Sequence, residues 1–382
     1  MSAPPEPRPN LKDFSPGLLR ERFAADGLPA WRADQVASWL YERGVEDPRA
    51  MTDLPAELRE ALHARFDTRA LEVASLSRST DGTLKAALTT HDGAVLEAVA
   101  IPETDRTTLC VSTQIGCPLA CSFCATGALG FGRNLSTAEI VDQLCRMREL
   151  LPERRITNVV FMGMGEPLLN LAAVVEAVRT LQHPKGFALA PRRVTVSTAG
   201  VVPRIGELLA AVPVNLAVSL HATTDGLRDV LVPLNKRFPL AELLGALRRI
   251  PQLSRRHPVF VEYTLMEGVN DSALDACRLV ALLQGLPAKV NLIPMNPHAD
   301  APYRPPTPEV ASRFMGELVR GGLVATLRRS RGADIDAACG QLAARGVARS
   351  GAGADIDAAT RGVVGSGADA ARPKGEGALR DR

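Results

Sequence analysis

Thr107-Thr-Leu-Cys-Val-Ser-Thr-Gln-Ile-Gly-Cys-Pro-Leu-Ala-Cys-Ser-Phe-Cys124 couples an apolar, β-branched run to three closely spaced cysteines. The run, Thr107–Thr113, predicts a strand. The cysteines follow it with the spacing C-x3-C-x2-C, at Cys117, Cys121 and Cys124. On a continuous helix their sulfurs would spread over roughly 10 Å of axis, so a helix would not gather them. Gly116 and Pro118 instead favour a loop, which can wrap three thiolates around one compact centre.

Five further runs of the same kind follow along the chain, and helical segments separate them. The six predicted strands are Thr107–Thr113, Asn158–Met162, Arg193–Ser197, Asn215–Leu220, Val259–Leu265 and Lys289–Ile293. One of the helical segments, Ser136–Leu150, opens with the capping-box pattern Ser136-Thr-Ala-Glu139. Strands that alternate with helices in this way predict an α/β fold, with a parallel sheet closed or nearly closed into a (β/α) barrel.

Polar residues and glycines stand at or directly after the ends of several predicted strands. Gly163–Pro167 follows the second strand, and Ser197 ends the third. Ser219 and His221 lie at the end of the fourth strand, and Asn296 follows the sixth. The loops that follow the strands of a βα barrel form one rim, and that rim holds the active site. We therefore expect these residues and the three cysteines to lie together.

Two other parts flank the predicted barrel core, which spans residues 96–345. Residues 1–95 are predicted to form a small amino-terminal accessory domain of helices and short strands. Its runs with helical spacing or strand character are Arg32–Tyr41, Leu54–Phe66, Ala86–Thr90 and Val95–Ile101. Residues 346–382 are too poor in large apolar side chains to offset their ordering entropy and are predicted to be a disordered tail. In this tail Gly353–Ala359 repeats Gly332–Ala338, but Thr360 stands where the first copy has Cys339.

The composition is that of a soluble globular protein, because 46% of the 382 residues are hydrophobic and 23% are charged. A net charge of +3 is too small to indicate a nucleic-acid binder by itself, so local patches would have to meet a polyanion. The sequence has neither an ordinary secretory signal nor a run of about 18 apolar residues, so we expect a cytoplasmic protein without a membrane partner. Seven cysteines form an odd set, which argues against a disulfide framework.

The three cysteines could bind either of two kinds of metal centre, a zinc ion or an iron-sulfur cluster. A structural zinc ion normally has four protein ligands. Cys110 lies inside a predicted strand, and no histidine stands between positions 91 and 183. An iron-sulfur cluster with three cysteine-bound irons and one iron open to another ligand therefore fits better. Zinc, and buried cysteines without any ligand, stay open as alternatives.

The three cysteines with Phe123, followed one strand later by Gly163-Met-Gly-Glu-Pro167, resemble the radical S-adenosylmethionine superfamily. Further motifs narrow the resemblance to the dual-specificity RNA methyltransferase family, which methylates carbon 2 of adenine in 23S ribosomal RNA and in transfer RNA. These motifs are Thr107–Cys117, Phe161–Asn170, Arg193–Pro203, Ser219–His221, Val232–Lys236, Asn291–Pro294 and Arg331–Leu342. The resemblance runs from about Leu28 to Leu342. It implies a partial (β/α) barrel of the radical S-adenosylmethionine type with an amino-terminal accessory domain that binds RNA.

The resemblance also implies how an unreactive carbon is methylated. Carbon 2 of adenine has no lone pair with which to attack an electrophilic methyl group. In the family a cysteine is methylated first, and its methyl group is then converted to a carbon radical with a 4Fe-4S cluster and two molecules of S-adenosylmethionine per turnover. By resemblance, Cys339 carries the methyl group and Glu97 accepts the ring proton. Cys110 releases the RNA from its covalent bond to Cys339 and forms a transient disulfide.

Ligands and partners are implied in the same way. The cluster would be held by Cys117, Cys121 and Cys124. S-adenosylmethionine would be held by Gly165, Glu166, Ser197, Ser219, Leu220, His221 and Asn296. The implied partners are 23S rRNA, tRNA and a reduced flavodoxin or ferredoxin-type electron donor, and the chain is expected to be a monomer. The two remaining cysteines, Cys145 and Cys277, are each on a predicted helix and are expected in the core.

Two rival functions differ in what they predict. A related radical S-adenosylmethionine enzyme methylates carbon 8 of the same adenine with the same cluster and both further cysteines, so only the modified carbon separates the two. A zinc-stabilised RNA-binding protein without catalysis would be colourless. The cluster instead predicts a brown protein that bleaches with dithionite.

Overall fold

The structure, a computed structural model, describes residues 8–299 and 301–343. Its α-helices are α1 (Pro16–Ala25), α2 (Trp31–Ala37), α3 (Ala56–Arg65), α4 (Ala125–Ala128), α5 (Thr137–Leu150), α6 (Leu171–Gln182), α7 (Val202–Ala211), α8 (Asp225–Leu231), α9 (Leu240–Arg248), α10 (Ala273–Leu283) and α11 (Pro308–Arg320). Its strands are β1 (Leu71–Arg78), β2 (Leu84–Thr90), β3 (Val95–Pro102), β4 (Thr107–Cys110), β5 (Gln114–Gly116), β6 (Phe131–Asn134), β7 (Asn158–Phe161), β8 (Val194–Thr198), β9 (Asn215–Ser219), β10 (Val259–Leu265), β11 (Ala288–Pro294) and β12 (Val324–Leu327). The predicted tail, residues 346–382, lies outside the described residues.

One mixed sheet of ten strands organises the described residues, in the order β1-β2-β3-β4-β7-β8-β9-β10-β11-β12. Strands β1 to β4 pair antiparallel, and every neighbouring pair from β4 to β12 is parallel. The six strands predicted from the sequence are β4 and β7 to β11. They are consecutive neighbours in the sheet, which confirms the predicted α/β core with its parallel strands.

Residues of the parallel strands are buried in succession. Leu216, Ala217 and Val218 of β9 are each at most 2% exposed. Such continuous burial is expected for a parallel strand with helices on its faces, and it explains why these strands are apolar runs without polar alternation. In the described part of the chain, no helix is long and apolar enough to cross a membrane.

The capping box predicted at the start of α5 is present. The Ser136 hydroxyl accepts a hydrogen bond from the Glu139 backbone N–H at 3.2 Å, and Glu139 Oε2 accepts one from the Ser136 N–H at 2.8 Å. Arg133 on β6 pairs with the same carboxylate, Nη2 to Oε1, at 2.7 Å. These contacts satisfy otherwise unpaired N–H groups at the helix start and fix β6 against α5.

The strands predicted at 86–90 and 95–101 are present as β2 and β3, and they belong to the same sheet as the core. Strand β1, which pairs with β2, was not predicted. Most of its residues are exposed, including Val73 and Leu76, so its sequence lacks the alternation that marks a half-buried strand. The predicted boundary near residue 95 therefore falls at the start of β3, within continuous sheet.

A buried cluster of charged residues joins the amino-terminal helices to α5. Lys12 and Asp142 are fully buried and form an ion pair, and Asp142 Oδ2 accepts hydrogen bonds from the backbone N–H groups of Ala70 and Leu71 at 2.9 Å each. Arg146, 1% exposed, pairs with Asp142 at 3.5 Å. Glu46 also pairs with both cations, so two carboxylates compensate Lys12 and Arg146, and Asp142 in addition accepts from two backbone N–H groups.

Asp142→Ala should therefore lower the free energy of unfolding by roughly 3–5 kcal/mol, since it removes the buried charge partner that Lys12 and Arg146 share with Glu46 and leaves two backbone N–H groups without their acceptor. Urea unfolding followed by far-ultraviolet circular dichroism measures this change. Glu103→Ala, which removes the exposed ion pair with Arg106, is the control and should cost at most about 1 kcal/mol. Equal effects of the two substitutions would contradict the assignment of Asp142 as a buried counter-ion.

Candidate active site

The loop that carries the three cysteines is held at its base by a small hairpin of β5 and β6. At Gly116, where β5 ends, φ is +70° and a Cβ atom would lie 1.9 Å from the Gly130 carbonyl oxygen. Only glycine fits there. The Cys117 N–H donates to the same oxygen at 2.8 Å, and the Cys124 N–H donates to the Cys121 oxygen at 3.1 Å. The backbone therefore turns back on itself between the first and the last cysteine.

The three thiols of this loop are half-buried and close together. Burial raises the pKa of Cys117 well above its ordinary range, and the charge of Cys121 raises it further. Burial likewise raises the pKa of Cys121, with Cys124 as the next cause. Each thiol thus lies within electrostatic range of the next.

The described residues contain no group that converges on a single ion. Among residues 8–299 and 301–343, no group of three or more His, Cys, Asp or Glu side chains converges on a position for one metal ion. In an iron-sulfur cluster each cysteine binds its own iron, and the three thiols of this loop are the candidates for that role.

The segment after β7 crosses directly over the segment after β4. At Gly165 φ is +100° and a Cβ atom would lie 2.6 Å from the Gln114 Cβ. A Cβ atom at Gly163 would lie 2.7 Å from the Ser112 hydroxyl oxygen. The Glu166 N–H donates to Gln114 Oε1 at 2.8 Å. Glycines at these two positions let the backbone after β7 approach the cysteine-bearing loop closely.

The Glu166 side chain joins two neighbouring strand ends. It is 3% exposed. Oε1 accepts a hydrogen bond from the Leu168 N–H at 3.0 Å, and Oε2 accepts one from the Ala199 N–H, just after β8, at 2.8 Å. Burial raises the pKa of this carboxyl to about 7. The carboxylate therefore connects the segments after β7 and β8 by hydrogen bonds to both.

His221 follows β9 and packs against the cysteine loop. Its ring lies edge-on to Phe123, with 4.7 Å between ring centres. Nδ1 accepts a hydrogen bond from the Thr264 N–H at 3.0 Å. Burial, with the charge of Arg228 as a second cause, lowers the pKa of His221 to about 3. The ring is therefore neutral at physiological pH, and its proton is on Nε2.

The segment around Cys339 lies across the rim. The Asn296 amide donates to the Cys339 carbonyl oxygen at 3.0 Å, and the Ala125 N–H donates to the Gly340 oxygen at 2.8 Å. Farther along, the Thr126 hydroxyl donates to the Leu342 oxygen at 2.6 Å. The Cys339 backbone is thus fastened to the helix that follows the cysteine loop and to the segment after β11.

Cys110 and Cys339 both lie at this rim although they are far apart in the sequence. Cys110 ends β4, and its pKa is raised to about 12 by burial and then by the charge of Cys339. Cys339 is partly exposed to solvent. Desolvation of its thiol by the surrounding protein raises the pKa to about 12. Glu262 is the second cause of that increase. The two thiols predicted to act together are therefore within electrostatic range of each other.

Glu97, on β3, is engaged by the same segment. It is 4% exposed, pairs with Lys85 at 3.1 Å and accepts a hydrogen bond from the Ala343 N–H at 2.9 Å. Lys85 in turn donates to the Asp336 carbonyl oxygen at 3.1 Å. In this conformation Glu97 therefore holds the chain on the carboxyl side of Cys339.

The structure thus brings most of the predicted site residues to one rim. Ser197 and Ser219 lie at the ends of β8 and β9, and Leu220 follows directly. Cys145 is buried on α5, which confirms its expected core position, but the same expectation for Cys277 is wrong because its side chain on α10 is exposed.

Two buried charged residues at the site were not predicted, Arg228 and Glu262. Neither Arg228, which stands beside Asp229, nor the single charge in the run Val259–Leu265 gives a sequence signal of burial. Glu262 lies on β10, where Oε1 accepts a hydrogen bond from the Asn291 amide at 2.7 Å and Oε2 has no partner. Burial raises the pKa of this carboxyl. The charge of Arg328 and the hydrogen bond from Asn291 oppose that increase.

Comparison with known proteins agrees with this geometry. The family model of the radical SAM superfamily matches residues 111–280, and that of the ribosomal RNA large subunit methyltransferase N-terminal domain matches residues 9–67. The curated dual-specificity RNA methyltransferase RlmN from Anaeromyxobacter sp. (strain Fw109-5) is 47% identical over 358 residues, which cover 91% of this chain and 95% of the relative.

A solved structure is similar over the same extent. The crystal structure of a radical SAM methyltransferase from Sphaerobacter thermophilus superposes with a TM-score of 0.83 at 46% identity and covers 88% of this chain and 100% of its own. Both relatives match this chain over nearly its whole length, so the similarity includes the amino-terminal unit as well as the sheet core. The chain therefore belongs to the dual-specificity RNA methyltransferase family of the radical S-adenosylmethionine superfamily.

Proposed function

We propose that this RNA methyltransferase modifies carbon 2 of adenine in 23S rRNA and in tRNA, and that Cys339 carries the methyl group to the base. One observation carries the proposal: the Cys339 segment is fastened beside the cysteine loop, with the Cys110 thiol within electrostatic range. A thiol that must first accept a methyl group and later be released by a second thiol requires both neighbours.

The cofactors of the family, a 4Fe-4S cluster and S-adenosylmethionine, supply a methyl group and, by one-electron cleavage, a radical that abstracts a hydrogen atom. Cys117, Cys121 and Cys124 would each bind one iron of the cluster as thiolates. Burial raises the pKa of Cys117 and of Cys121, so binding of iron would displace the protons of these two thiols.

The strand ends would bind S-adenosylmethionine through backbone and short side chains. Gly165 exposes backbone at the position where a Cβ atom has no room. We assign the contacts to Gly165, Glu166, Ser197, Ser219, Leu220, His221 and Asn296. A neutral His221 with its proton on Nε2 can donate a hydrogen bond without adding a positive charge beside the cluster. Asn296 is bonded to the Cys339 carbonyl oxygen, so it also ties the cofactor-binding edge to the methyl-carrying segment.

Cys339 and Cys110 would act in sequence. As a thiolate, Cys339 takes the methyl group as a thioether, and the carbon it carries then joins carbon 2 of the base. One hydrogen atom of the methyl group would be abstracted before the carbon joins the base, and the ring proton would then leave to Glu97 and one electron to the cluster. Attack of the Cys110 thiolate on the Cys339 sulfur would break the carbon–sulfur bond and form one disulfide, and the released carbon would keep the electron pair and take up a proton to become the methyl group of the RNA. Two electrons from a reductant must then restore both thiols before the next turnover.

Glu97 would accept the ring proton. Its carboxylate is beside the Cys339 segment, but Lys85 and the Ala343 N–H hold both of its oxygens. Each oxygen thus already has one partner, and the ring proton would have to reach a remaining lone pair of the carboxylate.

The remaining assignments concern partners. The amino-terminal unit, residues 1–95, would bind RNA, the core, residues 96–345, would carry out the chemistry, and the target base would be extruded from its stack to reach it. A reduced flavodoxin or ferredoxin-type protein would supply the electron, and the enzyme would work as a cytoplasmic monomer.

Nucleoside analysis tests the assignment of the base and of the carbon. Anaerobically reconstituted enzyme is incubated with S-adenosylmethionine, a reductant and either unmethylated 23S rRNA or tRNA, and the digested nucleosides are separated by chromatography with mass detection. We expect 2-methyladenosine from both RNAs. Formation of 8-methyladenosine would instead assign the chain to the carbon 8 reaction, and product from only one RNA would remove the dual specificity.

Cys110→Ala should trap RNA on the enzyme, because no second thiol is left to attack the Cys339 sulfur. We expect a covalent species that survives denaturing electrophoresis and collapses to the mass of the protein after ribonuclease treatment. Release of free methylated RNA at the normal rate by Cys110→Ala would show that Cys110 is not the resolving thiol.

A further inference from the structure

Arg228 is a buried cation to which none of the roles above gives a function. It lies in α8, and its side chain is fully buried. Removal of a guanidinium from water is costly unless its N–H groups find acceptors. The acceptors therefore indicate what this arginine holds in place.

The acceptors are backbone carbonyl oxygens at two neighbouring strand ends. Nη2 donates to Ala199, just after β8, at 2.6 Å and to Ser219, the last residue of β9, at 3.1 Å. Nε donates to Leu220 at 3.0 Å. Because the guanidinium is planar and its N–H directions are fixed, these three bonds set the distance between the ends of β8 and β9.

A second group of contacts fixes the guanidinium itself. Nη1 donates to Asn235 Oδ1 at 3.0 Å. The Asn235 amide donates to Asp225 Oδ1 at 3.0 Å and to Asp229 Oδ1 at 2.7 Å. Burial lowers the pKa of Arg228 to about 10, and the nearby negative charges oppose that decrease. The group therefore stays charged at neutral pH and keeps a single orientation.

The helix that carries Arg228 also contacts the cysteine loop. The Ser122 N–H donates to the carbonyl oxygen of Leu231, the last residue of α8, at 3.2 Å. Cys121 directly precedes Ser122, so this contact brings the helix that carries the Arg228 guanidinium against the cysteine loop. One helix thus joins the cysteine loop to the ends of β8 and β9.

We infer that Arg228 is a positioning residue for S-adenosylmethionine, which it serves by holding the ends of β8 and β9 in register with the cysteine loop and by placing a permanent positive charge beside Cys121. The inference rests on the proposed function, which assigns Ser219 and Leu220 to the cofactor and Cys121 to the cluster. A positive charge near the cluster favours its more negative, reduced state, so Arg228 also raises the reduction potential.

Two substitutions separate the geometric role from the role of the charge. Arg228→Lys keeps the charge but removes the planar fork, and Arg228→Gln removes both. We expect both variants, as anaerobically reconstituted holoenzyme, to bind S-adenosylmethionine at least about tenfold more weakly, the loss that corresponds to one or two hydrogen bonds. The midpoint potential of the cluster should stay close to that of the unsubstituted enzyme in Arg228→Lys and become more negative in Arg228→Gln.

Arg146→Lys is the matched control, because Arg146 is also almost fully buried and forms ion pairs with Glu46 and Asp142 at the contact of the amino-terminal helices with α5. It should lower the melting temperature without changing the affinity for S-adenosylmethionine or the potential. An equal loss of affinity in Arg146→Lys would reduce the effect at Arg228 to general destabilisation and overturn the inference.

A milder variant covers the case in which the Arg228 variants do not take up the cluster. Asn235→Ala removes one contact of the guanidinium and none of the contacts to the strand ends, so a smaller but measurable loss of affinity is expected. Unchanged affinity in Asn235→Ala would then overturn the inference. If the unsubstituted holoenzyme fails to bind S-adenosylmethionine, the proposed function is contradicted. If the unsubstituted holoenzyme and both Arg228 variants bind it equally well, only the role of Arg228 is contradicted.

Discussion

Cys339→Ala is expected to abolish methylation of RNA, by at least about a thousandfold, because the methyl group would have no carrier on the path to carbon 2. The cluster and the binding of S-adenosylmethionine should be intact, since the hydrogen bonds that hold Cys339 and Gly340 beside the cysteine loop are accepted by their backbone carbonyl oxygens and not by the Cys339 thiol. Product is measured as methylated nucleoside per enzyme, and cluster content as iron and visible absorbance.

Cys277→Ala is the matched control for this substitution. Cys277 is also exposed, but it lies on α10, away from the strand ends that carry the site. Its replacement should leave methylation unchanged. Substantial methylation by Cys339→Ala, with the cluster present, would remove Cys339 from the reaction and with it the need for Cys110.

Cys121→Ala should remove the cluster and with it all methylation. The middle cysteine of the loop lies within electrostatic range of Cys124 and of the buried Arg228. With only two thiolates the loop cannot bind three irons. We expect a colourless protein with little iron and sulfide after anaerobic reconstitution, where the unsubstituted chain is brown and bleaches with dithionite.

The same measurements separate the cluster from a zinc site. An unsubstituted chain that is colourless after reconstitution and holds one equivalent of zinc would contradict the cluster assignment. Retention of the cluster and of activity by Cys121→Ala would contradict the assignment of Cys121 as a ligand. Far-ultraviolet circular dichroism of the variant checks that the sheet core has formed.

The parallel core could be predicted because each of its strands is marked by a short, continuous run of apolar residues in the sequence. Apolar, β-branched runs such as Val259–Leu265 are recognisable without neighbours, and that run has the observed bounds of β10. The start of α5 was also predictable, because the residues of its capping box lie within four positions of the sequence. The cysteine spacing identified the loop because three thiols in eight positions rarely serve another purpose in a chain of this kind.

Other features depend on contacts between distant segments. Strand β12 lies at an edge of the sheet with an alternating, half-exposed pattern and is followed by arginines, so its sequence does not differ from that of a surface loop. Arg228 looks like an ordinary charge on a short helix, and only the packing of α8 under two strand ends buries it. The position of Glu97 against the Ala343 N–H likewise depends on a contact across 246 positions of the chain.

Transfer of a labelled methyl group tests directly whether Cys339 carries the methyl group to carbon 2 of adenine. The enzyme is first loaded with a 13C-methyl group on Cys339, freed of unbound S-adenosylmethionine, and then given RNA, reductant and unlabelled S-adenosylmethionine for a single turnover. The account predicts that the label leaves the Cys339 peptide and appears in 2-methyladenosine. Unlabelled product, with the 13C-methyl group still on Cys339, would contradict it.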